Sequence, residues 1–203
     1  MCGRYTQTAS AKELRERFGL VASEVSELNP RYNIVPTQDA PVVLEEDGRV
    51  LKMFRARAET VALKPSFRTP FRKRRCLVVA DGFYEWKRLA GGGKEPRRAV
   101  LPSREPFAMA GLWDDWKSPE GKDVRTFTII ATGANDVMKP IHDRMPVIFA
   151  REDEATWLDP AAKPDVLASL LKPWSGNLET YAVSPIVNSP RNDNPTCVEE
   201  TTA

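Results

Sequence analysis

The chain has 203 residues, of which 41% are hydrophobic, and its formal net charge is +2. This length supports one substantial hydrophobic core, and we expect residues 1–203 to form a single domain. No run of 18 apolar residues occurs and the N-terminus lacks the features of a signal peptide, so we expect a cytoplasmic protein without membrane contact. The three cysteines, Cys2, Cys76 and Cys197, are odd in number and have no metal-type spacing. This pattern argues against a disulfide framework and against a metal site.

Charge is distributed unevenly along the chain. The segment from Leu51 to Arg104 contains 15 Lys or Arg residues and four Asp or Glu residues, so the rest of the chain is acidic overall. If this segment folds onto one face, it forms an electrostatic footprint for a polyanion such as nucleic acid. The alternative is a solvated surface whose cations pair with acidic residues elsewhere.

Local signals define the first predicted elements. Ser10 and Glu13 have the spacing of a capping box, which predicts a helix that ends at Gly19. The next segment, Arg31–Pro36, is predicted to be extended, because Pro36 disfavours a helix before it. Residues after Asn188 are predicted to be irregular coil.

The remaining elements follow from apolar runs bounded by turn residues. Strands are predicted at 41–45, 49–54, 76–80, 84–88, 107–113, 126–132, 146–149 and 180–184, with a hairpin tip at 91–93. Short helices are predicted at 134–139, 152–158 and 164–171. Many strands and few helices predict an α+β fold built on a curved, barrel-like, mostly antiparallel sheet with a few peripheral helices.

The first residues, Met1-Cys2-Gly3-Arg4, carry a reactive combination. Methionine aminopeptidase removes Met1 when the next side chain is small, so we expect Cys2 to become the N-terminal residue. Its α-amine, with a pKa near ~8, and its thiol, with a pKa near ~8.5, would both be partly nucleophilic at neutral pH. An amine condenses with an aldehyde to an imine, and a neighbouring thiolate then closes a thiazolidine ring. The alternative is that Cys2 is frayed and inert.

Two further stretches contain candidate acid–base groups. In Asp81–Lys87, the Glu85 carboxylate stands between aromatic residues directly after an apolar strand, a setting suited to proton transfer. The single histidine, His142, stands beside an Asp and an Arg and just before Pro146. The alternatives are a solvent-facing Glu85 paired with Lys or Arg, and a His142 that is hydrogen-bonded for structure alone.

Taken together, six stretches of the chain resemble the SRAP family (SOS response-associated peptidase). They occur in the family's order and approximate spacing and span nearly the whole chain. The six stretches are Met1–Tyr5, Arg31–Pro36, Ala56–Thr60, Asp81–Trp86, Ile141–Pro146 and Val187–Asp193.

The resemblance implies a function in DNA damage and repair within the SOS response. SRAP proteins bind single-stranded DNA at abasic sites, and their N-terminal cysteine forms a DNA–protein cross-link with the sugar aldehyde as a thiazolidine, which shields the lesion. By motif position, Cys2 would supply the amine and thiol, Glu85 would shuttle protons in this Schiff-base chemistry, and His142 would help to open the sugar ring. The family is also credited with autoproteolytic removal of Met1.

The resemblance also assigns DNA-binding residues. Arg4, Arg57 and Arg144 match positions that hold phosphates beside the lesion, and Asn33 and Pro36 match the loop that lines the floor of the site. It implies no cofactor, a monomer whose partner is single-stranded DNA containing abasic sites, and association with the nucleoid if the source is bacterial.

The sequence departs from the family pattern at one place. An Asn normally stands immediately before Ala56, after a Trp-Gly-rich loop whose aromatics meet DNA bases, but here that position is Arg55 and the loop is absent. We predict that a loop of about 15 to 25 residues is missing from the numbering, so that the chain breaks between Arg55 and Ala56. The alternative is a genuine deletion in which Arg55 replaces the Asn.

Two other classes of function remain open from the sequence. Class II glutamine amidotransferases also begin Met-Cys-Gly, so an N-terminal-nucleophile amidohydrolase is one alternative, although it leaves the Glu85 and His142 motifs unexplained. The other is a non-catalytic single-stranded DNA-binding module in which Cys2 is inert.

Overall fold

The computed structural model describes residues 3–20, 27–44, 48–57, 65–117 and 120–201, with only the backbone described for 48–57. The strands are β1 (Tyr5–Gln7), β2 (Arg31–Ile34), β3 (Asp39–Val43), β4 (Gly48–Arg57), β5 (Arg75–Ala80), β6 (Gly82–Arg88), β7 (Lys94–Val100), β8 (Phe107–Lys117), β9 (Asp123–Gly133), β10 (Arg144–Pro146) and β11 (Glu179–Ala182). The helices are α1 (Ala11–Phe18), α2 (Pro65–Lys73), α3 (Arg151–Leu158) and α4 (Pro164–Ser169), with 3₁₀ helices at Pro185–Asn188 and Pro195–Val198. None of the helices in these ranges is long and apolar enough to cross a membrane.

The strands form two sheets. One has the order β11-β7-β6-β1-β2 and the other the order β10-β9-β4-β3-β5-β8. Because β8 also pairs with β9, the pairings in the second sheet run in a ring and the sheet curls back on itself. The β4–β9 pair is parallel, and the other strand pairs in the described ranges are antiparallel. The prediction of an α+β fold with a curved, barrel-like, mostly antiparallel sheet is confirmed.

The main core joins the two sheets. Tyr5 and Phe83 from the first sheet pack in one buried cluster with Phe107 and Phe127 from the second. Each side chain is 1% exposed, and burying an aromatic side chain of this size contributes about 1.5–3 kcal/mol. This contact fixes β6, which carries Glu85, against the curled sheet.

Several local predictions are confirmed. The α1 helix has the predicted capping box, in which Glu13 N donates to Ser10 Oγ (3.2 Å) and Ser10 N donates to the Glu13 carboxylate (2.7 Å). It ends at Gly19, whose φ of 62° is left-handed, the conformation that glycine adopts at little cost. Helices α3 and α4 form within two residues of the predicted bounds.

Other local predictions are wrong. Residues 134–139 form turns rather than a helix, because the Asn135 carbonyl accepts from both Met138 N (3.1 Å) and Lys139 N (2.9 Å) while the Asn135 side chain caps Met138 N. The strand predicted at 146–149 is shifted to β10, with a single bridge at Ile148. Two further elements were not predicted from the sequence: helix α2, which contains Pro70, and strand β7.

The predicted break in the chain is not found. Strand β4 runs without interruption through Arg55 and Ala56, which pair with the consecutive residues Ile129 and Ile130 of β9. The two halves of the motif are therefore joined within one strand.

Candidate functional site

The first candidate catalytic group, Glu85, lies in the middle of β6. Its side chain is 3% exposed, so the alternative of a solvent-facing carboxylate is wrong. Strand β1 pairs with β6 through Tyr5 and Phe83, and Tyr84 N donates to Arg4 O (2.9 Å). The described N-terminal segment therefore runs antiparallel to β6, with Arg4 hydrogen-bonded to the residue next to Glu85.

The second candidate, His142, faces Glu85 from the turn before β10. Its Nε2 atom lies 3.8 Å from Glu85 Oε2. Arg144 N donates to His142 Nδ1 (3.0 Å), which places the proton of the neutral imidazole on Nε2, the nitrogen that faces Glu85. The Asp143 carboxylate also lies 3.0 Å from Nδ1. The Nε2–H group of the neutral ring therefore faces the Glu85 carboxylate.

Both groups line an open groove of about 500 Å³. Trp86 from β6 and Asp143 line the same groove, together with the cations Arg88, Lys94 and Lys139. A buried carboxylate and a partly exposed imidazole at the wall of an open groove can exchange protons with a bound substrate. The geometry therefore suits general acid–base chemistry on a ligand that enters from solvent.

The DNA-binding candidates Arg4 and Asn33 both contact the 3₁₀ helix at 185–188, and Asn33 also contacts the loop that follows it. The Arg4 guanidinium donates to the carbonyl oxygens of Val187 and Asn188 (2.9 Å to Asn188) and lies 5.4 Å from the centroid of the Trp86 ring. Asn33 is fully buried, and its Nδ2 donates to Val187 O (3.1 Å). These contacts tie the N-terminal segment to the Val187–Asp193 motif.

Hydrogen bonds also hold the other end of the Val187–Asp193 motif. Asn33 Nδ2 also donates to Ser189 O (3.1 Å) and Asn192 O (2.7 Å). Asp193 accepts from the backbone nitrogens of Tyr32 (2.5 Å) and Asn33 (2.9 Å). Asn33 is therefore an internal connector between β2 and the Val187–Asp193 motif. These hydrogen bonds fix the segment after Asn188, which the sequence predicted to be irregular coil.

Pro36 lies in a tight turn after β2. Gln38 N donates to Val35 O (3.3 Å), so Pro36 and Thr37 are the central residues of this turn. Thr37 has a φ of 79°, which is costly for a β-branched residue, by about 1–3 kcal/mol. Strain of this kind is retained where the shape of a loop matters. The local sequence contains no signal of this strain.

The remaining DNA-binding candidates, Arg57 and Arg144, lie at the same end of the second sheet. Arg144 begins β10 and donates to Ala131 O (2.5 Å). Strands β4 and β10 flank β9 on opposite sides, and Arg57 is paired with that same Ala131. The backbone register therefore brings Arg57 and Arg144 to the same edge. Cys2, the predicted nucleophile, lies outside the described residues.

Two cations of the basic segment are used inside the fold. Arg75 is 5% exposed and donates to the carbonyls of Trp157 and Asp159 (each 2.6 Å). Arg98 pairs with the buried carboxylate of Asp81 (2.9 Å). Among the residues of this segment whose side chains the structure describes, exposed cations lie on α2 and on the β6–β7 hairpin.

Neither of the two described cysteines suggests a metal centre. Cys76 and Cys197 are fully buried free thiols, and burial raises the pKa of Cys76 well above its usual range. Within the described ranges, no group of three or more His, Cys, Asp or Glu side chains is placed to hold a metal ion.

Comparison with known proteins gives a consistent match. The family model described as "SOS response associated peptidase (SRAP)" matches residues 1–53 and 45–190. The chain is 40% identical to the "Abasic site processing protein YoqW" of Bacillus subtilis, with 98% of this chain and 99% of that protein covered. It is 33% identical to the "Abasic site processing protein HMCES" of Gallus gallus, over 87% of this chain and 58% of that protein. A crystal structure of a Bacteroides thetaiotaomicron protein superposes with a TM-score of 0.89 at 29% identity, covering 99% of this chain and all of that one.

Proposed function

Because this chain belongs to the SRAP family, we propose that it processes abasic sites in DNA by forming a covalent thiazolidine cross-link through Cys2. The curated relatives named above are abasic site processing proteins. The bound lesion would lie in single-stranded DNA, and the cross-link would shield it during the DNA damage response.

One observation carries this proposal: the β1–β6 pairing directs the N-terminal segment along the strand that bears Glu85, and Glu85 faces His142. A nucleophile that precedes Gly3 would then work beside a buried carboxylate and an imidazole. This is the set of groups that condensation of an amine with an aldehyde requires.

The first proposed step opens the sugar. The abasic sugar is a hemiacetal, in which the bond between C1′ and the ring oxygen must break to expose the aldehyde. His142 in its protonated form would donate the Nε2 proton to the ring oxygen while the Glu85 carboxylate accepts the proton of the C1′ hydroxyl. Glu85 would then return that proton to His142, which restores both groups. The partly exposed imidazole in the groove wall is suited to this exchange.

The second step forms the cross-link. The α-amine of Cys2 attacks C1′, and Glu85 accepts a proton from the nitrogen and returns it to the departing hydroxyl, so that an imine and one water form. The Cys2 thiolate then adds to the imine carbon while the imine nitrogen takes up a proton, which closes the five-membered ring. The net reaction loses one water. Removal of Met1, by the protein itself or by an aminopeptidase, is required beforehand to free the amine.

DNA would be held by the arginines around this groove. A guanidinium carries five N–H donors, so Arg4 can bind loop carbonyls and still contact a phosphate. Arg57 and Arg144, at one edge of the second sheet, would contact phosphates beside the lesion. Asn33 would set the position of Arg4 and the loop, and the strained turn at Pro36 would shape the floor of the site.

The test is incubation with abasic and intact single-stranded oligonucleotides followed by denaturing electrophoresis. A heat-stable, slowly migrating band with the abasic oligonucleotide alone is the expected result. Binding to both oligonucleotides without any stable band would instead indicate a non-catalytic DNA-binding module.

A further inference from the structure

Three cations lie along one rim of the groove that contains Glu85 and His142. Arg88 and Lys94 face each other across the β6–β7 hairpin, and Lys139 comes from the turn before His142. Arg88 and Lys94 are exposed, and neither forms an ion pair with any described residue. Arg75 and Arg98 differ in this respect, because their guanidinium groups bind partners inside the protein.

Among the residues that line the groove, three cations outnumber the two carboxylates, Asp143 and Glu85. Lys139 pairs with Asp136 (2.8 Å), but these side chains are 65% and 95% exposed, and such a pair contributes little and exchanges readily with another anion. Asp143 is 87% exposed and lies against His142 at the same groove. Three cations, one exposed carboxylate and the buried Glu85 therefore line this wall.

The position of the rim relative to Glu85 follows from strand geometry. Arg88 is three residues beyond Glu85 on β6, so their Cα atoms lie about 10 Å apart at ~3.3 Å per residue and their side chains leave opposite faces of the strand, although both residues line the groove. This distance is too long for contact with a sugar that reacts beside Glu85, but it is short enough for contact with phosphates of the adjoining nucleotides.

We infer that Arg88, Lys94 and Lys139 form a phosphate-binding rim that holds the DNA strand on one side of the abasic sugar. The inference rests on the proposed function and extends it, because none of the six stretches that carry the resemblance contains these three residues. The rim adds affinity and direction to DNA binding and takes no part in the covalent steps.

The experiment compares the double variant Arg88→Gln/Lys94→Gln with the control Lys163→Gln/Lys172→Gln, whose exposed lysines do not line the groove. Two abasic oligonucleotides are used, one with nucleotides only on the 5′ side of the lesion and one with nucleotides only on the 3′ side. We expect the rim variant to bind one of them about tenfold more weakly at low salt and the other like wild type. The slope of log K against log salt should fall by about 1.4 for the affected oligonucleotide, since each single-strand phosphate contact contributes ~0.7.

Cross-linking rates at saturating DNA provide the second readout. The rim variant should cross-link at the wild-type rate once DNA is saturating, because Glu85 and His142 are unchanged. Unchanged affinity for both oligonucleotides, or an equal loss of affinity for both, would overturn the inference that these cations bind phosphates on one side of the lesion. Failure of the wild-type protein to cross-link either oligonucleotide would instead overturn the proposed function, so the two failures are distinguishable.

Discussion

The imidazole of His142 and the carboxylate of Glu85 lie with Nε2 and Oε2 3.8 Å apart, although one comes from the turn before β10 in the curled sheet and the other from β6 in the first sheet. The Arg144 backbone N–H directs the protonated nitrogen of the neutral ring toward Glu85. Because the two groups belong to different sheets, the pair exists only in the folded protein, and its chemistry depends on how the sheets pack.

Replacing the carboxylate should slow the chemistry without weakening DNA binding. Glu85→Gln keeps the size of the side chain and removes its ability to carry a proton, so we expect cross-linking to slow by about 10²-fold or more. Single-turnover rates on an abasic oligonucleotide measure this effect. Glu152→Gln, at an exposed position on α3 that does not line the groove, is the matched control and should react at the wild-type rate. Equal rates for the two variants would exclude Glu85 from the reaction.

Removing the imidazole should also slow cross-linking by about 10²-fold, because ring opening of the sugar loses its proton donor. We expect His142→Ala to retain DNA affinity within a few-fold, since Arg144 still donates to Ala131 O and the bonds from Ile141 N and His142 N to Met138 O do not involve the ring. A substrate that already presents an open-chain aldehyde should recover much of the lost rate. If the variant remains equally slow on such a substrate, His142 acts at another step.

Loss of the buried Asn33 side chain should destabilise the whole protein. Asn33→Ala leaves three carbonyl oxygens without their amide donor in a buried region, which we expect to cost about 2–4 kcal/mol of unfolding free energy in urea denaturation. Asn177→Ala, at an exposed position, should change this free energy by less than about 0.5 kcal/mol. A similar small effect at both positions would contradict the connector role of Asn33.

The thiols should differ strongly in reactivity. Cys76 and Cys197 are fully buried, and burial raises the pKa of Cys76, so neither should react quickly with iodoacetamide in the native protein. We expect one fast equivalent in native buffer, mapped to Cys2 by peptide mass analysis, and three in denaturant. Fast labelling of Cys76 or Cys197 in the native protein would show that the core is more open than the structure describes.

The sequence allowed prediction where the signals are local. The capping box at Ser10 and the left-handed Gly19 define α1 within a few residues of chain, and the aromatic residues around Glu85 indicate a partly buried strand. Strand β7 was missed because it contains Pro96 and charged residues, and its strand conformation depends on pairing with β6 and β11.

The structural role of several polar residues could not be read from the sequence. Asn33 is a connector because its partners come from residues 187–192, far away along the chain. In the sequence, Arg75 is one of the cations in the segment that is predicted to bind a polyanion. In the fold, its guanidinium instead binds backbone carbonyls beside Trp157. Neither arrangement has a signal in the local sequence, because both depend on which distant elements pack together.

Intact-mass analysis of the adduct shows whether Cys2 forms the cross-link as a thiazolidine. We expect an adduct whose mass equals that of the chain without Met1 plus the abasic oligonucleotide minus one water, and this adduct should be stable to heat and unchanged by borohydride. The Cys2→Ala variant should give an adduct only when borohydride is present, because its amine forms an imine that cannot close a ring. The mass of that reduced adduct should exceed the wild-type mass by two hydrogens and fall short of it by one sulfur. A heat-stable adduct of Cys2→Ala without borohydride, or a wild-type adduct that retains Met1, would rule out the thiazolidine.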